Sequence, residues 1–111
     1  MAKKSILDTQ KGICFWCGKV GYTHLHHILY GKNHKIADRE GLTCYLCYEC
    51  HEGTNGVHGK NGAALGCTLK EMAQEAWEQK YKEKYPYRNH ADQAAREAWM
   101  RMVGENYLIK E

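Results

Sequence analysis

Two cysteine pairs and a dense run of histidines are the residues in this 111-residue chain whose types and spacing suit chemistry. Cys14 and Cys17, then Cys47 and Cys50, form the pattern C-x2-C-x29-C-x2-C. Paired thiolates at that spacing are what a tetrahedral zinc requires, because each tight turn presents two sulfurs to one ion. A redox CxxC would sit in a βαβ unit, and no such pattern surrounds either pair. A four-cysteine zinc is coordinatively closed, so it serves folding and leaves chemistry to other groups. Six of the seven histidines, His24, His26, His27, His34, His51 and His58, lie in the first 58 residues. An imidazole titrates near neutrality, so it can take a proton from water or, when neutral, ligate a metal.

The elements that must position these groups are short in the first half and helical in the second. Residues 1–11 read as a polar arm. Residues 12–22 read as a knuckle in which Gly18 lets the chain turn back after Cys17. A strand is expected over 23–30, a polar loop over 31–41, and a second strand over 42–46 that delivers Cys47. A Gly-rich irregular connection follows over 53–66, with no internal repeat. Thr68-Leu-Lys-Glu71 reads as a capping box opening a helix. Its apolar positions, Leu69, Met72, Ala73, Ala76 and Trp77, recur at helical spacing until Pro86 ends the run. A last helix begins near Asn89 and stops at Gly104, with Ala91, Ala94, Ala95, Ala98, Trp99 and Met102 on one face. Trp77 and Trp99 are expected in the core, packing the helices on each other, on the two strands or on a second subunit.

The composition fits a small α+β domain: residues 1–66 as a zinc-stapled finger, 67–111 as a two-helix extension. Phe, Leu, Ile and Val are scarce in the first half, so a metal staple is expected there. The net charge of +3 lies wholly in that half, where eight Lys and Arg face five Asp and Glu; residues 67–111 hold eight of each. This balance permits nucleic-acid binding. No apolar run is long enough to cross a membrane, and the opening residues lack the apolar stretch of a secretory signal. The expected setting is therefore the cytoplasm, where six cysteines favour metal over disulfides.

His26-His27-Ile28, a loop, then Leu42-Thr-Cys-Tyr-Leu-Cys47-Tyr-Glu-Cys50-His51 and His58 resemble the HNH (His-Me finger, ββα-metal) endonucleases. More narrowly, the chain is similar to small phage and prophage HNH-type proteins in which two CxxC pairs bind structural zinc. The closing Trp99-Met-Arg-Met-Val-Gly-Glu-Asn-Tyr-Leu108 resembles the C-terminus of such chains. The resemblance implies a ββα-metal finger followed by two helices, acting on DNA in a bacterial host cell. His27 would be the general base. His26, His51 and His58 would hold one catalytic divalent ion (Mg²⁺, Mn²⁺, Ni²⁺ or Zn²⁺). Lys32, Lys35, Arg39 and Lys60, in the flanking loops, would contact phosphates. A monomer that nicks and a homodimer that makes paired cuts fit equally well.

The chain departs from the family pattern in three respects, one being that His51 and His58 stand seven apart with Gly53 and Gly56 between, so that a loop must return His58. Gly41-Leu42 stands about where the family has its middle Asn, with Asn33 as the substitute from the loop. Strict alternation along a strand would pair His26 with His24 and turn His27 to the other face; the resemblance has His26 and His27 share one site. A non-catalytic, zinc-stabilised DNA- or protein-binding module is the alternative. A redox-switched zinc protein, resting on the spare Cys44 and Cys67, is a third reading.

Overall fold

The computed structural model describes residues 4–86 and 89–108. The first three residues of the expected arm therefore lie outside the described residues. Strands β1 (His24–His27) and β2 (Thr43–Leu46) form an antiparallel two-stranded sheet with the register His24↔Leu46, Leu25↔Tyr45, His26↔Cys44 and His27↔Thr43. Four α-helices accompany it among the described residues: α1 (His34–Glu40), α2 (Tyr48–His51), α3 (Ala63–Lys84) and α4 (Ala91–Val103). A two-stranded antiparallel sheet accompanied by four helices, the two long ones after the strands, is compatible with the α+β class.

The connection expected to be a loop over 31–41 is a 3-10 turn, Gly31–Asn33, running into α1. Gly41 closes α1 in the left-handed conformation at φ 73°. Its missing side chain also matters, because a Cβ there would lie 2.5 Å from the Lys4 carbonyl oxygen. The N-terminal arm thus runs close by, and the Ile6 amide donates to the Gly41 carbonyl at 2.9 Å. Thr9 accepts from the Tyr45 amide at 3.0 Å and the Phe15 amide donates to the Tyr45 carbonyl at 2.7 Å, so arm and knuckle cover the outer edge of β2.

Helix α3 begins at Ala63, five residues before Thr68. The Thr68 hydroxyl donates back to the Ala64 carbonyl at 3.0 Å, the habit of a mid-helix threonine, so the capping-box start is corrected. The division expected after residue 66 consequently falls inside a helix. A single core joins the two halves: Cys14, Ile28, Leu29, Leu42, Cys44 and Leu46 pack with Leu69 and Ala73 of α3 and with Trp99 and Val103 of α4. Trp99 is fully buried and donates its indole N–H to the Glu105 carbonyl at 2.8 Å, and Trp77 meets it edge-on at 5.7 Å. Gln74 and Glu78, both buried, join this packing by bonding Asn106 and Arg96. Asn33 is spent on the same task, donating to the Val103 carbonyl at 3.3 Å. It ties α4 to the sheet and does not act as the hairpin-pinning residue.

Candidate metal and catalytic site

Cys14 and Cys17 sit on the knuckle, where the Gly18 amide bonds the Cys14 carbonyl at 3.0 Å and Gly18 takes φ 78°. Cys47 ends β2 and Cys50 lies within α2, the first turn after it. Together they bring four sulfurs within 4.8 Å of one another, close enough to bind a metal ion. The Cys17–Cys47 sulfurs are 3.7 Å apart, far beyond a disulfide bond. That separation is about what a tetrahedron of sulfurs at ~2.3 Å from zinc would show. Burial opposes ionisation of Cys14, yet backbone hydrogen bonds from Cys17, Cys47 and Trp16 outweigh it and bring the thiol down to about 6. Burial, and then the neighbouring sulfurs, push Cys50 far up. Cys17 is also raised: a backbone hydrogen bond from Lys19 favours its thiolate, but burial and the sulfurs of Cys14 and Cys47 prevail. One thiolate is favoured and its neighbours resist, which is the charge state a cation would complete. Cys44 has no place in the cluster; it is fully buried opposite His26, and burial pushes its thiol up to about 12.

The turns after α2 build the second cluster. Glycines recur at every third position, Gly53, Gly56, Gly59 and Gly62, and each amide from Gly56 onward donates to the preceding glycine's carbonyl at 2.8–3.1 Å. Side chains would not fit: a Cβ on Gly59 would meet the Gly53 carbonyl at 1.8 Å, and one on Gly62 the Gly56 carbonyl at 1.7 Å. This tight coil lies back on α2, with Val57 bonding Cys50 and His58 bonding the His51 carbonyl, each at 2.9 Å. The seven-residue gap between His51 and His58 is thereby closed, and their rings stand 4.7 Å apart. His26, reaching from β1, completes a trio with ring separations of 5.3 Å to each. The ligand nitrogens of the three all lie within 4.8 Å, so they too could hold a metal ion.

The electrostatics favour ligation. Burial, followed by His51, His58, His27 and Lys70, lowers the His26 imidazole to about 3. His51 is lowered by burial and by His58 and His24, with Glu52 opposing. Neutral rings keep a lone pair for a metal. The trio is graded in exposure, with His26 buried, His51 intermediate and His58 exposed, so the cluster opens to solvent on one side.

His27 stands apart from this trio, and β1 follows strand alternation. His24 and His26 contact His51, whereas His27 turns to α1, its Nε2–H donating to Asp38 Oδ1 at 3.0 Å. The His34 ring lies 4.1 Å away, tilted by 31°. His34 and Asp38, one turn apart on α1, thus grip a single imidazole. His24, outside the ligand set that the resemblance implies, lies with Nδ1 at 3.1 Å from His51 Nδ1. Lys70 also belongs to the rim: its ammonium lies 4.6 Å from the Tyr30 ring centre, and the Tyr30 ring is tilted against His26 and His58 at 6.2 and 6.0 Å. The α1 residues were hidden because the helix itself was read as loop; Lys70 lay half the chain away. Lys32, Lys35, Arg39 and Lys60 are all exposed, and Arg39 donates to Glu40 at 3.0 Å.

Compared with known proteins, the chain matches no protein-family model, no curated protein and no solved structure. No helix among the described residues is long and apolar enough to cross a membrane.

Proposed function

We propose that the protein is a metal-dependent DNA endonuclease or nickase of the HNH type. The observation that carries this reading is a three-imidazole cluster, open to solvent, built on a strand, the following helix and its returning coil, directly beside a separate four-sulfur cluster. Cys14, Cys17, Cys47 and Cys50 would hold a structural zinc that binds the knuckle to the end of β2. His26, His51 and His58 would hold one divalent ion, which when bound supplies Lewis-acid stabilisation of the phosphate and of the leaving oxygen.

His27 is the general base in this reading. With its Nε2–H committed to Asp38, the lone pair of Nδ1 is free to accept a proton from water. Base and ion ligands lie on opposite faces of β1, so this reading requires the phosphate to lie across the end of the strand, where both can reach it. Lys70 beside Tyr30, with Lys32, Lys35 and Lys60, would seat the backbone phosphates of DNA. Arg39 serves that role less well, because Glu40 neutralises it.

The test is incubation with supercoiled plasmid and Mg²⁺, Mn²⁺, Ni²⁺ or Zn²⁺, with His27→Ala as control. Metal-dependent nicking or linearisation that disappears with His27→Ala is expected. Cleavage that survives the substitution removes His27 as base; none with any metal leaves a zinc-stabilised DNA-binding module, the reading that the displaced Asn33 favours.

A further inference from the structure

His51 faces two groups of donors. Besides His26 and His58, it meets His24, Nδ1 to Nδ1 at 3.1 Å, and Glu52 Oε2 stands 4.0 Å from that same His24 nitrogen. His24, His51 and Glu52 bring one ligand atom each within 4.8 Å of the others. Two imidazoles and a carboxylate are a donor set zinc accepts, with water in the fourth position. The His24 and Glu52 side chains are 29 % and 48 % exposed, so an ion can enter from solvent.

We propose that His24, His51 and Glu52 form a second divalent-cation site that competes with His26 and His58 for the His51 imidazole. A neutral imidazole carries one in-plane lone pair, its other nitrogen holding the proton. His51 therefore serves one set at a time, and an ion held by His24 and Glu52 strips a ligand from the first site. The ion so held is lost to the first site at every metal concentration, and in that way the second site inhibits. The inhibition rests on the nuclease reading; the binding does not, and the experiment separates them.

The full-length chain, its four cysteines loaded with zinc, is titrated with Co²⁺ and with Zn²⁺ by calorimetry, and the Co²⁺ complex is followed by its visible absorption. Wild type takes up one further ion. His58→Ala, at an exposed position, still binds one ion. Adding His24→Ala or Glu52→Gln in that background weakens binding on the order of tenfold or more and shifts the Co²⁺ spectrum. At saturating Zn²⁺ the His24→Ala protein cuts plasmid faster than wild type, because the ion is no longer drawn from the first site. Undiminished binding by the double variants overturns the site, as does a His58→Ala protein that binds no ion. If plasmid is never cut, the nuclease reading fails alone and the titrations still decide the site. Cleavage no faster in His24→Ala than in wild type overturns the competition.

Discussion

The sulfur cluster and the imidazole cluster abut at Cys50-His51, yet they are built for opposite purposes. Two of the four sulfurs, on Cys14 and Cys47, belong to the core that unites strands and helices. Burial lowers His26 and His51, and the trio grades from a buried His26 on β1 to an exposed His58 on a glycine coil whose apolar contribution to the core is Val57. A ligand set woven into the core stabilises the fold; one carried on a returning coil at the surface can exchange ligands and meet a substrate. A similar contrast runs across β1, where His26 faces His51 and His58 and His27 faces Asp38.

Substitutions should separate the two clusters. Cys47→Ser, or removal of the metal by a chelator, should abolish cooperative folding, since a structural zinc supplies ~10 kcal/mol or more; near-UV circular dichroism and thermal melting check it. His27→Ala should leave melting within about a degree of wild type and slow cleavage about 10²–10⁴-fold. Gly59→Ala forces a methyl group against the Gly53 carbonyl. It should cost ~3 kcal/mol and weaken Co²⁺ binding at the imidazoles while the zinc content stays at one per chain. Asp38→Asn should keep the fold and reduce kcat about tenfold, below the general-base loss, with KM unchanged and partial rescue by Asp38→Glu.

The smallest effect is one of pH. Protons compete with the ion only for imidazoles that can be charged. His26, lowered to about 3, stays neutral well below the usual histidine range of ~6.5. Between pH 5 and 6 the logarithm of the Co²⁺ affinity should therefore fall by at most about two per pH unit, where three ordinary histidines would give about three. A slope of three would put His26 among the ordinary ones.

Much of this was legible in the chain, and what was not has physical causes. The cysteine pairs announce their own meeting, because a CxxC turn has few other uses in a chain so short of apolar residues. The second strand ran close to its expected bounds, whereas the first kept only His24–His27 of the expected 23–30. Helix α1 was missed because it buries Ala37 alone and shows no apolar stripe. Its Gly41 stop and its run of Lys, Ala, Asp, Arg and Glu were the available signs. The start of α3 was masked by Thr68 and Glu71, which imitate a cap inside a helix already begun. The three-residue glycine spacing from Gly53 to Gly62 was visible, but its purpose lies in backbone approach, which a sequence pattern does not display. His27 parted from His26 because an unkinked strand alternates its faces.

The most direct test of the division between a folding metal and a working one is His58→Ala, assayed for zinc by native mass spectrometry and for plasmid cleavage on one sample. Because His58 is exposed, the variant should keep the zinc held by its four cysteines and melt as wild type does, yet lose cleavage by about a hundredfold or more. Cleavage at the wild-type rate, or loss of the zinc with the histidine, would contradict it.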